Sequence, residues 1–101
     1  MIIKRMTSEH VPQIAFLEKL CFHDPWSESS IASELNNSLS LWLVAMEDDT
    51  VVGYVGSQTV LGWTDMMNIA VHPDHRRKKI GEQLVLSLEE ELKKQESTCL
   101  T

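Results

Sequence analysis

"AVHPDHRRKKIGEQL" (Ala70 to Leu84) places Arg76, Arg77, Lys78 and Lys79 between an apolar run and an amphipathic segment, with Gly81 at the junction. Ahead of it, "TDMMNIAV" reads as a strand. Behind it, Ile80, Leu84, Val85, Leu88 and Leu92 fall on one helical stripe, with Glu89/Lys93 and Glu90/Lys94 as i,i+4 pairs on the other face. The basic turn thus lies at a strand-to-helix joint, where the free N–H groups of the first helical turn favour an anion. Gly81 lets the backbone approach a ligand closely. In "HPDHRRKKIG" four basic side chains against Asp74 leave a local balance of +3 in a chain of net charge -6. Four adjacent basic residues can also be a solvated loop. A strand directly before them and a glycine directly after them favour a seat for a diphosphate-bearing ligand.

Working toward the N-terminus, "VVGYVGSQTV" and Leu39 to Met46 read as two strands joined by the acidic turn "EDDT", an antiparallel hairpin. Before them, Ser27 caps a short helix carrying Ile31, Ala32 and Leu35, ended by "NNS". Ile2 to Met6 is a short strand. Thr7 or Ser8 then caps an amphipathic helix with Val11, Ile14, Ala15, Leu17, Leu20 and Cys21 on its apolar side. Pro12 is tolerated in that helix's first turn, where its missing N–H would be unpaired anyway. After Gln95, "ESTCLT" reads as the start of a further strand, from Thr98 to Thr101.

The 101 residues, 43% hydrophobic, predict one compact domain over 1–101. A net charge of -6 argues against direct, sequence-independent nucleic-acid binding, which needs a field of Lys and Arg. Cys21 and Cys99 lack the paired spacing of a metal site and form no disulfide framework, so no metal is expected. Neither a signal peptide nor an apolar run of about 18 residues is present, which predicts a cytoplasmic, soluble protein with no membrane partner.

Three stretches, "CFHDPWSESSIASEL", "VVGYVGSQTV" and "MNIAVHPDHRRKKIGEQL", resemble the GNAT acetyltransferases, and among them the RimI branch. That family's acetyl-CoA motif is Arg or Gln, two residues, Gly, one residue, Gly or Ala, and Arg76 and Gly81 match its ends. The resemblance covers essentially the whole chain. It implies an α/β fold, a mixed, mostly antiparallel sheet flanked by helices. The chain would hold its N-terminal part: about four strands, three helices and the start of a fifth strand.

The resemblance further implies an N-terminal acetyltransferase that moves acetyl from acetyl-CoA to the N-terminal alanine of a small-subunit ribosomal protein, by direct attack. Ile69, Ala70 and Val71 fall where the family's fourth strand offers backbone groups to the pantetheine arm, although plain core packing also accounts for Ile69 and Val71. Arg76, Arg77, Lys78, Lys79, Ile80, Gly81 and Glu82 fall at the pyrophosphate turn. Trp26 falls at the acceptor groove, with Glu28 beside it to attract a cationic N-terminus; Trp26 can equally fasten its loop to the core. Trp42 and Trp63 read as packing residues.

Two departures stand out. The family's first motif glycine falls at position 79, where this chain has Lys79. A left-handed backbone there would cost about 1 kcal/mol for a non-glycine residue, against which an ammonium near a diphosphate gains attraction. Secondly, the glutamate base, the CoA-contacting asparagine and the protonating tyrosine of RimI-like enzymes lie in later elements, so the catalytic residues are unknown here. His72 and His75 flank the phosphate turn and read as solvent-facing loop residues rather than as the base, and Asp65 reads as a turn residue. Two alternatives remain: a CoA-binding or dimerising remnant, whose open sheet edge would pair with a second copy, and a transferase acting on a polyamine or small amine.

Overall fold

The computed structural model of the chain describes residues 2–60, 63–75 and 79–99. Strand β1 (Ile2–Arg5) leads through a 3-10 turn (Ser8–His10) into helix α1 (Val11–Cys21). Helix α2 (Glu28–Ser33) and a second 3-10 turn (Glu34–Asn36) follow. Then come strands β2 (Ser40–Glu47), β3 (Thr50–Val60) and β4 (Trp63–Val71), a third 3-10 turn (Pro73–His75) and helix α3 (Ile80–Cys99).

The four strands form one antiparallel sheet in the order β1-β2-β3-β4. Two-residue side-chain alternation sends each strand's residues to opposite faces, and both faces are covered. On one side α1 and α2 bury Ile14, Leu17 and Ile31 against Trp42, Val44, Met46, Tyr54 and Ala70. On the other, Ile80, Leu84 and Leu88 of α3 bury against Leu41, Leu43, Ala45, Val52 and Val55. Two register shifts, at Ala45/Met46 and at Gly56/Ser57, break the ladders. The first shifts the phase of β3, so that Val51 shares the α1 face with Tyr54 and Val52 the α3 face with Val55.

The helix starts follow local chemistry. Pro12 sits in the first turn of α1, and the Ser27 hydroxyl accepts the Ser30 N–H at 3.2 Å to cap α2. Ahead of α1, His10 Nδ1 accepts the Thr7 N–H at 2.9 Å. The ring is therefore held as the neutral tautomer with its proton on Nε2, and burial together with nearby Lys4 pushes its pKa below the ordinary 6.5.

Four expectations need correction. Thr98 does not begin a strand, because α3 continues through Cys99; good helix formers such as Glu89–Glu91, Lys93, Lys94 and Gln95 carry the helix past the apolar stripe. Trp63 is 80% exposed rather than packed, since it lies at the far end of β4 beyond the reach of either helix layer. Asp65 is within β4, opposite Gln58, and not in a turn. Leu35 has left α2 for the 3-10 turn and is exposed.

Candidate functional site

β4 has a neighbour on one side only among the described residues, namely β3. The His72 N–H bonds to the Val52 carbonyl at 2.8 Å. Because backbone direction alternates along an antiparallel strand, Asn68 and Ala70 face β3, and the N–H and C=O of Ile69 and Val71 face the open edge. The thiol of Cys21, on α1, approaches that edge and donates to the Val71 carbonyl at 3.7 Å. The Ala70 side chain is buried toward α1, Val71 packs partly against the α3 cluster, and Ile69 is 36% exposed. Packing therefore accounts for Ala70 and in part for Val71, but not for Ile69.

Just before this segment, Gly56 pairs with Asn68 and Ser57 with Met66, so β4 carries one extra residue, Met67. A bulge leaves backbone groups outside the regular ladder and bends the strand. Sequence reasoning missed it, because the apolar run "MMNIAV" reads the same with or without an inserted residue.

After β4 the chain turns through Pro73–His75 and enters α3. Arg76, Arg77 and Lys78 lie outside the described residues. Lys79 has φ 60°, the left-handed conformation that the motif glycine would supply. Its carbonyl accepts the Gln83 N–H at 3.0 Å, so Lys79 opens α3 and the N–H groups of Ile80, Gly81 and Glu82 fall in the helix's unpaired first turn. Ile80 is buried, whereas Lys79 and Glu82 are exposed. A Cβ at Gly81 would meet only Val71 at 3.8 Å and Ile69 at 4.0 Å, ordinary contact distances. Packing does not require this glycine. Gly81 thus leaves a bare stretch of backbone beside Ile69 and Val71, the two residues whose backbones face outward. An outward strand edge running into a helix N-terminus fits a ligand with an amide-bearing arm and a diphosphate, which is the shape of acetyl-CoA.

His72 and His75 are half-buried and meet edge to face at 5.7 Å, rather than facing solvent. His72 Nδ1 accepts the Asp74 N–H at 3.1 Å, and His75 Nδ1 lies 3.4 Å from Glu47 Oε2. Both brace the turn between β4 and α3.

At the other end, an open recess of about 440 Å³ is lined by Asp24, Pro25, Trp26, Ser27 and Ser30. The Trp26 ring lies 5.6 Å from that of Trp42, so Trp26 fastens its loop to the core and also lines the recess. Glu28 is exposed at the start of α2 and is not among the lining residues. The Trp26 N–H donates to Glu18 Oε1 at 2.9 Å, and Asn68 Nδ2 donates to Glu18 Oε2 at 3.1 Å. Burial raises the pKa of Glu18 above the ordinary 4.5, and the Trp26 hydrogen bond partly offsets this. Sequence reasoning passed over Glu18; the signal available was a lone acid following Leu17 within an otherwise apolar stripe. Among the described residues no three His, Cys, Asp or Glu side chains gather to hold a metal, and no helix is long and apolar enough to cross a membrane.

Comparison with known proteins accords with this geometry. Residues 11–101 match the acetyltransferase (GNAT) family, whose members use acetyl-CoA. The chain is 29% identical over 100 residues to a putative ribosomal protein bS18-alanine N-acetyltransferase of Bacillus subtilis, covering 98% of this chain and 66% of that protein. It is 28% identical over 92 residues to the ribosomal protein bS18-alanine N-acetyltransferase of Escherichia coli K12, covering 91% and 62%. The crystal structure of the Escherichia coli ribosomal-protein-S18-alanine N-acetyltransferase superposes with a TM-score of 0.83 at 28% identity, over 93% of this chain and 60% of that one. The chain thus spans just under two thirds of the length of these relatives. A family match over nearly the whole chain and the shared fold establish that this chain belongs to the GNAT acetyltransferase family.

Proposed function

We propose that this chain forms the acetyl-CoA half of an enzyme that acetylates the N-terminal alanine of a small-subunit ribosomal protein. Ile69 and Val71 pair through their backbones with the pantetheine arm, as an added strand would. Residues 76–82, from Arg76 through Glu82, wrap the pyrophosphate with backbone N–H groups and basic side chains. Asp24, at the recess beside Trp26, attracts the cationic N-terminus of the acceptor. The amine then attacks the thioester directly. The base and the acid of that step are unassigned among these 101 residues.

The observation that carries the reading is Lys79 at φ 60°. The backbone keeps the glycine-like turn of the family's motif although the residue is lysine, at a conformational cost of about 1 kcal/mol. Calorimetry of acetyl-CoA on this chain tests it: micromolar binding that weakens in Arg77→Ala is expected, and no binding in wild type, Arg77→Ala or Lys79→Gly would overturn it. Preference for an alanine-first peptide over a polyamine then separates the ribosomal acceptor from a small amine.

A second reading is favoured by one observation. The edge of β4 away from β3 also carries the exposed Trp63 and Met66, a surface on which a second copy can pair. Such a dimer would occupy the same Ile69 and Val71 backbone groups as the cofactor arm. Light scattering should then show a dimer that acetyl-CoA dissociates; a monomer at high concentration rejects this reading.

A further inference from the structure

Among the described residues Glu18 is the only buried carboxyl group, 1% exposed on α1. Sealing a carboxyl away from water is costly unless its oxygens find donors. Its two oxygens do so in two segments far apart in sequence. One takes the backbone N–H of Trp26, the residue before the α2 cap, in the loop that lines the open recess. The other takes the side-chain amide of Asn68, which directly follows the bulge and directly precedes Ile69. The Trp26 ring reinforces the link from above, because it packs on Trp42, and Trp42, Gly56 and Asn68 lie in one row across β2, β3 and β4.

We propose that Glu18 is a positioning residue that locks the Trp26 loop onto the bulge of β4, so that acceptor recess and cofactor edge move as one unit. This rests on the assignment of β4 as the cofactor strand and goes beyond it by naming the connection between the two sides. Both partners present N–H groups to Glu18, and a carboxylate meets both with two acceptor oxygens in one plane. Glutamine can keep both ties once the Asn68 amide turns its oxygen toward the new NH2, whereas methionine keeps the length and offers no oxygen to either partner.

The test is backbone amide exchange on the isotopically labelled 101-residue chain, comparing wild type, Glu18→Met and Asn68→Ala. Asn68→Ala leaves the Glu18–Trp26 pair in place and cuts only the tie to β4. It should nonetheless speed exchange of the Trp26 amide by roughly tenfold, with the Leu84 amide under α3 unchanged, because a local opening leaves the opposite face closed. Glu18→Met, which offers neither partner an acceptor, should do the same. Equal acceleration at Trp26 and Leu84 would show a general loss of stability, and no acceleration at Trp26 would show no link; either overturns the proposal. These readouts need no ligand, so they stand if acetyl-CoA fails to bind, in which event the function proposed above falls alone. Where acetyl-CoA does bind, it should shift the Trp26 amide resonance in wild type and leave it unmoved in Asn68→Ala. A shift of the same size in both would sever the connection.

Discussion

The two faces of the sheet are built from different materials. Beneath α3 the packing is aliphatic: Leu41, Leu43, Ala45, Val52, Val55, Ile80, Leu84 and Leu88 form one buried cluster. Beneath α1 and α2 the cluster is aromatic and polar, with Trp42 stacked on Tyr54 at 5.8 Å and His10 and Glu18 buried beside it. Each face also has one glycine in β3 that admits a neighbour. A Cβ at Gly53 would press on Ile80 and Leu84 at 3.3 and 3.4 Å, and one at Gly56 would lie 2.6–2.7 Å from the Trp42 ring. The aliphatic face anchors a long helix whose N-terminus follows the left-handed Lys79. The polar face ties loops to strands by directed hydrogen bonds, and it is where titratable groups are buried. Nonspecific burial suffices to hold a helix; fixing the Trp26 loop against a strand needs direction.

The contrast can be broken most severely on the aliphatic side. Leu84→Ala should cost about 2–5 kcal/mol of unfolding free energy in chemical denaturation, because a fully buried side chain leaves a cavity that α3 and β3 cannot both close. On the polar side, Gly56→Ala should cost about 1–3 kcal/mol, since the rigid indole of Trp42 must move. If Gly56→Ala proves harmless, Trp42 is not fixed in its place and the aromatic face is softer than its geometry implies. A smaller effect of opposite sign is expected between the faces: Lys79→Gly should gain about 1 kcal/mol by relieving a left-handed lysine. The same variant loses an ammonium from the turn ahead of α3, so a higher melting temperature with unchanged acetyl-CoA affinity would mean that backbone, not charge, makes the proposed seat.

The smallest effect sharpens the comparison through pH. Glu18 has its folded pKa raised by burial, so the stability it contributes is full below its unfolded value of 4.5 and is lost as pH rises through the folded value. His10 is lowered by burial and by Lys4, so its contribution is present above 6.5 and is lost as pH falls through its folded value. Both groups belong to the polar face. Measured from about pH 4 to about pH 7, the stability of wild type should therefore decline relative to Glu18→Gln, while Leu84→Ala keeps a constant offset from wild type. A Leu84→Ala offset that varies with pH as Glu18→Gln does would erase the distinction between the faces.

Much of this was legible beforehand for a definite reason. The apolar run in "VVGYVGSQTV" and the period-3.6 stripe of Ile80 to Leu92 each come from single elements packing on a core, and the elements stand where those patterns put them. Lys79 stands at the position of the family's motif glycine, where a left-handed backbone would carry a cost for lysine, and it has φ 60°. Trp63 and Asp65 were misread because exposure and strand membership at the far end of β4 depend on how far the helices extend over the sheet. Thr98 was misread as strand because a β-branched residue in four terminal positions says less than the helix already under way.

The sequence alone determined the order of the elements, the strand-to-helix joint at residues 71–80 and its basic turn, because each depends on neighbours along the chain. Only the tertiary structure decided the bulge at Met67, the outward backbones of Ile69 and Val71, and the meeting of Glu18 with Asn68. Those depend on register between strands and on contact across fifty residues, and no local pattern records which of two distant groups will share a buried carboxylate.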